Sequence, residues 1–402
     1  MLRVSSWGGA GDDSDFDKMV KKFYRDFEEE NPGVKVRPEL IPGSGSEYVH
    51  KMMLNFVAGA EPDIMIVDAS SAALFINNGV LADLTKLEKG SDFEIGDYFP
   101  NVLDIGRRGD ALYTIPSDFT PMVMYYNKEL FDAAGVPYPK AGWTFQEFQE
   151  TAAKLTDPAK KQHGFVFSNW MPGWVMWLWN SGADVLSRDG TRASGNLDSP
   201  KAVETITYLR DLVMKHHVAP SFSQVASTGV DPFANGEAAM TVSGHWAMIG
   251  YKNAPKKNGK PAIDWTKLGV VELPHNTPRS NTVMYAAGYG ITSRCKQKEL
   301  AWKLIKKWTS YAHQLPYNKS GIAVSARKDV AAELAKDPVD RQFLDIIPTA
   351  RPPAGSWVEG YEIVETLGAK AMDSVLASPE SDVAGILSKT AKRIDLEFAK
   401  RL

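Results

Sequence analysis

Residues 63–67, Asp-Ile-Met-Ile-Val behind Pro62, carry four apolar side chains in succession. A strand with one wet face alternates apolar and polar residues, so this run reads as a strand covered on both faces, the signature of a parallel sheet under helices. Its neighbours agree. Residues 2–6 read as a first strand. Asp13 or Ser14 can cap a helix carrying Phe16, Met19, Val20, Phe23 and Phe27 on one face. Asn31-Pro32-Gly33 stops that helix, and residues 34–37 alternate like a strand. Gly43-Ser44-Gly45-Ser46 turns the chain into a second helix with Met52, Met53, Phe56 and Val57 apolar. Asp68 then follows the apolar run as an N-cap for a helix ending at Asn78-Gly79. The order βαβαβα predicts an α/β chain built on an open, mostly parallel sheet.

A second unit begins after Leu112-Tyr113-Thr114-Ile115-Pro116. A strand at 122–126 leads to a helix over 128–134, closed by Gly135 with Pro137 beyond. Thr144-Phe145-Gln146-Glu147 is a capping box that starts a helix through Leu155. Residues 165–167 read as a strand, and Ser199-Pro200 opens a long amphipathic helix. Strand character returns at 238–242, 268–273 and 282–286, followed by helices, the first carrying Trp302 and Trp308 on its core face. At 402 residues the chain exceeds one ordinary core, so two domains are expected. No Pro-rich or Gly/Ser-rich linker separates them, which implies crossings through short ordered segments.

A net charge of −3 excludes the basic footprint of a nucleic-acid binder. Paired lysines such as Lys256-Lys257 read as solvated faces. Cys295 is the only cysteine, so it can form no intrachain disulfide, and no Cys/His spacing makes a zinc site. There is no apolar stretch of about 18 residues and no leader pattern. The chain therefore reads as cytoplasmic, or as one whose leader has been replaced by Met1. No GxSxG, HExxH, Walker A or CxxC motif is present, and Gly288-Tyr289-Gly290 lacks the rest of a dinucleotide fingerprint. Neither a cofactor nor a metal is expected.

What remains is positional. Ligands of open α/β sheets gather at the carboxyl ends of strands. Trp7, Asp68, Asp118, Trp170, Trp246 and the pair Gly288-Tyr289 all follow strands in this reading. Indole plates suit the C–H faces of a sugar, and carboxylates accept two hydroxyl hydrogen bonds at once. Residues 169–182 hold four of the eleven tryptophans. Trp170 precedes the helix; Trp174 and Trp177 share a face, and Trp179 points elsewhere. Trp170 and Trp174 are expected to meet ligand and Trp179 to lie in the core, with Trp177 left open.

In order and spacing the chain resembles the extracellular solute-binding proteins of ABC sugar importers, in the broad family of maltose- and glycerol-phosphate-binding proteins. The resemblance rests on Phe27 to Val36 (F-x-x-x-N-P-G-V-K-V), the block Ala58 to Met65, Tyr125-Tyr126-Asn127-Lys128, Trp143-Thr144, Phe233 to Met240 (F-A-N-G-E-A-A-M) and Ala287-Gly288-Tyr289-Gly290-Ile291. It implies a two-lobed periplasmic-binding-protein fold (type II, cluster D-like), hinged, each lobe a sheet flanked by helices. It places 1–117 and 286–318 in the first lobe, 118–285 and 319–402 in the second. It implies a carbohydrate ligand, ABC transporter membrane subunits as partners, no catalysis and a monomer. The location it implies is periplasmic, or extracellular and lipid-anchored, with the membrane reached only through the transporter or a removed anchor. The site residues it carries over are Trp7, Tyr48, Asp68, Asp118, Trp170, Trp174, Trp246, Gly288, Tyr289 and Trp357. Gly8 to Ser14 lacks the lysine of the maltose branch, and Arg351 is the one cleft-loop cation evident for a phosphate. A neutral di- or oligosaccharide is therefore preferred to a glycerol phosphate; a hydrolase or lyase using Asp68 and Asp118 is the rival from another class.

Overall fold

The apolar run becomes the strand Ile64–Asp68, buried at its first four residues. In the computed structural model the described residues are 1–8, 15–42, 46–167, 169–228, 231–321, 323–336 and 338–400. Ten strands, numbered in chain order, build the two main sheets: β1 (Leu2–Gly8), β2 (Val36–Pro42), β3 (Ile64–Asp68), β4 (Ile115–Pro121), β5 (Val123–Asn127), β6 (Met240–Ser243), β7 (Leu268–Val271), β8 (Thr282–Ile291), β9 (Val324–Ser325) and β10 (Ala350–Arg351). The chain divides into unit 1 (Met1–Thr120, Tyr285–Asp340, Pro352–Glu362) and unit 2 (Pro121–Met284, Arg341–Arg351, Ile363–Leu402).

In unit 1 the strand order is β9-β4-β8-β3-β1-β2. β1 pairs in parallel with both β2 and β3, as the alternating pattern requires. The rest of the sheet departs from a parallel reading. β8 runs antiparallel to β3, with Ala287 opposite Asp68, and β9 runs antiparallel to β4. Unit 2 carries an antiparallel sheet, order β7-β5-β6, and its part of β8 pairs with β10 at Thr282 and Val283. Residues 165–167 form no full strand; Val166 makes a single parallel bridge to Thr241. Residues 319–340 and 352–362, assigned by the sequence reading to the second lobe, belong to unit 1. The cause is local pairing: Val324 and Ser325 face Phe119 and Asp118 across the β9–β4 ladder.

Caps form where the sequence marks them. Glu147 Oε2 accepts from the Thr144 amide at 2.7 Å, and the Thr144 hydroxyl oxygen accepts from the Glu147 amide in return. Ser199 caps the helix Pro200–Met214. In unit 1, Trp308 anchors an aromatic core with Phe23 at 4.7 Å and Tyr289 at 5.2 Å between ring centroids. In unit 2, Trp177 does the same with Phe145, Phe148, Phe165 and Tyr208. Cys295 is buried, which pushes its thiol up to about 11. No helix among the described residues is long and apolar enough to cross a membrane.

All ten residues of β8 are buried. A Cβ at Gly288 would stand 2.8 Å from the carbonyl oxygen of Ile115, so glycine there lets β4 lie close. Gly288→Val should therefore strain the sheet and lower unfolding free energy by about 1–3 kcal/mol in urea titrations. A midpoint equal to that of the parent protein would contradict the close approach.

Candidate functional site

On unit 2 the candidate site centres on two tryptophans. Trp170 stands at the N-cap of the helix Met171–Ser181 and is 42% exposed. Trp246 stands at the N-cap of the helix Ala247–Lys252 and is partly exposed. Their rings meet edge to face at 6.0 Å with 61° between planes. Two features fix the pair. Asn169 donates to Ala369 O at 2.9 Å and to Asp373 Oδ1 at 2.6 Å, tying the loop before Trp170 to a later helix. A Cβ at Gly244 would lie 2.4 Å from the Trp246 ring, so glycine is what allows that indole to fold back over its own loop.

The other tryptophans of the cluster lie elsewhere. Trp174, expected to meet ligand, is 1% exposed and packs against Gly368; Trp177 is fully buried. Every described residue of the helix Met171–Ser181 is buried, so it has no wet face for Trp174 to occupy. Trp179 is core, as expected. Its Nε1 donates to Asp184 at 2.8 Å, and the Arg351 guanidinium covers its ring at 3.6 Å while also pairing with Asp184. Arg351 is thus engaged in holding this corner.

On unit 1 the candidates are two acids, Asp68 at the end of β3 and Asp118 within β4, and one tryptophan, Trp357. Asp68, the last residue of β3, caps the turn Ala69–Ser71; its Oδ1 accepts from the Ser70 amide at 2.8 Å and the Ser70 hydroxyl at 2.5 Å. Its Oδ2 accepts no hydrogen bond among the described residues. The turn Ala354–Ser356 packs on the Asp68 turn so closely that a Cβ at Gly355 would lie 1.9 Å from Ser70 O. Trp357 follows directly and is 49% exposed. Arg108 donates to the carbonyls of Ile105, Arg107 and Ser356, bracing that turn.

Asp118 lies within β4, part-buried, opposite Ser325. The neighbouring Ser117 hydroxyl favours the ionised carboxyl. Ser117 Oγ accepts from Trp308 Nε1 at 3.3 Å and Gln314 Nε2 at 3.2 Å. Gln314 is itself oriented by Ser325 and Asn318. Sequence inspection missed this supporting network, because its members are scattered polar residues joined only by β9 and β4 coming together. Burial pushes Asp118 up to about 7; the charge of Asp68 adds to the rise and Ser117 opposes it. Burial also raises Asp68, against its two bonds from Ser70.

Of the remaining expected site residues on unit 1, Tyr48 and Tyr289 serve the core. Tyr48 is buried, its hydroxyl 2.9 Å from Ser5 Oγ and donating to Ile66 O at 3.0 Å. Tyr289 is buried on Trp308, and Gly288 admits β4 as described above. Trp7 is placed by its backbone, opposite Ile41 in β1–β2 pairing. Its side chain, with residues 9–14, lies outside the described residues.

Residues 8–315 match the family model described as bacterial extracellular solute-binding protein. A substrate-binding protein of Listeria monocytogenes, solved in complex with cycloalternan, is 24% identical with a TM-score of 0.83, covering 100% of this chain and 98% of its own. The maltose-bound MalE3 of T. maritima is 25% identical with a TM-score of 0.80, covering 100% and 99%. The multiple sugar-binding protein of Streptococcus mutans is 23% identical over 337 residues, 78% of this chain and 73% of the relative.

The raised Asp118 has a consequence for stability. In the unfolded chain it ionises near pH 4 (~3.9), in the folded protein near about 7. Between those values the folded state binds the extra proton, so stability falls as pH rises through this window. Asp118→Asn removes the titration: urea melts should show the variant gaining on the parent toward pH 8 and little at pH 4. The full rise of the carboxyl corresponds to about 4 kcal/mol, which solvent screening of a part-buried acid cuts to on the order of 2 kcal/mol. An unchanged difference between variant and parent across that range would contradict the buried-acid assignment.

Proposed function

The chain belongs to the bacterial extracellular solute-binding protein family, and from that membership we propose that it binds a neutral sugar, a di- or oligosaccharide, and delivers it to an ABC importer. The observation that carries the reading is the pair of exposed Trp170 and partly exposed Trp246. Two indoles meeting at 61° make an angled apolar corner, which suits the C–H faces of a pyranose ring. The half-exposed Trp357, which follows the turn packed on Ser70, offers a similar plate, and Asp68 and Asp118 add acceptors for hydroxyls. The cations argue for a neutral ligand: Arg351 is held by Trp179 and Asp184, Arg108 by three backbone carbonyls. The relatives point the same way, with cycloalternan bound to the Listeria protein and maltose to that of T. maritima.

The family is extracellular, so the protein works outside the cytoplasmic membrane, in this reading as a monomer held by a lipid anchor or free in a periplasm. Its partners are the membrane subunits of the importer. It binds without turnover; Asp68 and Asp118 act as acceptors, and an incubated saccharide should be recovered unchanged. In calorimetry with a neutral oligosaccharide, Trp170→Ala and Trp246→Ala should each weaken affinity by about 2 kcal/mol, roughly thirtyfold, as for desolvated aromatic anchors. Parent-like affinity in both variants, or tight binding of a phosphorylated polyol with none of any neutral saccharide, would overturn the assignment.

A further inference from the structure

The helix that begins after Trp246 ends at Lys252, and the chain then makes an exposed hairpin. Its strands, Lys256–Lys257 and Lys260–Pro261, are joined by Asn258 and Gly259, with φ of 52° and 78°. Two left-handed residues in succession are what a two-residue type I′ turn requires, and Asn-Gly is its preferred sequence. The turn Trp265–Lys267 follows, with Trp265 41% exposed and the Lys252 ammonium 5.1 Å from the centre of its ring. Residues 252–267 thus hold five lysines against one aspartate, in a chain of net charge −3.

Folding does not account for this arrangement. The hairpin register sets Lys257 directly opposite Lys260, and like charges facing across a ladder weaken it. Glu237 relieves one of them, accepting from Lys257 at 2.9 Å. Lys252, Lys256, Lys260 and Lys267 form no ion pair among the described residues. A two-stranded ribbon with residues 255–261 all exposed gains little from burial. An exposed indole among unpaired ammonium groups matches the headgroup layer of a lipid bilayer, where tryptophan settles at the interface and lysines reach the phosphates.

We infer that the hairpin of residues 252–267, with Trp265, is a docking surface for an anionic phospholipid membrane. Charge complementarity favours this occupant: the corner is basic while the rest of the chain carries the excess of acid, so an anionic leaflet attracts this corner and repels the remainder. The contact orients the protein on the membrane and is independent of which solute it binds. A soluble acidic partner would satisfy the lysines and leave the indole without an apolar layer to enter.

The test is co-sedimentation of the whole chain with vesicles of mixed phosphatidylglycerol and phosphatidylcholine, against vesicles of phosphatidylcholine alone. Binding should occur to the anionic vesicles and be lost as salt rises from about 0.1 M to about 1 M, where screening shortens from about 10 Å to about 3 Å. Lys256→Gln and Lys260→Gln should each lower partitioning about fivefold. Trp265→Ala should lower it further while leaving thermal melting and solute affinity unchanged. Equal binding to neutral and anionic vesicles would overturn the inference, as would parent-like partitioning of the lysine variants. So would capture by a soluble polyanion such as heparin with no vesicle binding.

Discussion

The close packing of β8 is the constraint on which unit 1 depends. Ten consecutive residues of one strand are buried, and glycine at 288 admits the backbone of β4 where a side chain would collide. The polar site inherits its geometry from this. β3 delivers Asp68 opposite Ala287 on one flank of β8, while β4, its neighbour on the other flank, carries Asp118. Asp68 is thereby near enough for its charge to raise Asp118 further, and burial disfavours the charge of both. Tyr289, between two glycines, turns its ring inward onto Trp308 and locks the strand to the aromatic core.

Much of this was legible in the residues, for reasons that are local. The apolar run 63–67, the capping box at Thr144 and the Ser199-Pro200 start each encode a short-range physical demand, and each is met. Asp68 shows that a capping carboxylate can keep its second oxygen without a hydrogen bond among the described residues. Strand direction was harder to read. The βαβ order of the first eighty residues does predict parallel pairing for β1, β2 and β3, but β8 and β9 arrive after long excursions and join antiparallel.

The misread side chains share a cause. The rule that ligands gather at strand ends gives a position along the strand and not the face a side chain takes. Tyr289 illustrates it, lying at the expected level and on the core side. Trp174 is expected to meet ligand from the resemblance and its place near the start of the helix, which takes that end to be wet. The helix Met171–Ser181 is apolar on all sides, and such helices are buried outright. That signal was present in the sequence and outweighs the place along the helix. Gly244 and Gly355 were invisible by contrast, since each is required by a neighbour that only the fold brings near.

The tryptophans therefore fall into two classes by environment: Trp170 and Trp246, which are exposed or partly exposed, and Trp177 and Trp308, which are packing. Fluorine NMR of the fluorotryptophan-labelled protein, titrated with a neutral oligosaccharide, reads both classes at once. The account predicts that the resonances of Trp170 and Trp246 shift to saturation while those of Trp177 and Trp308 stay in place. Unmoved Trp170 and Trp246 signals at saturating sugar would contradict it.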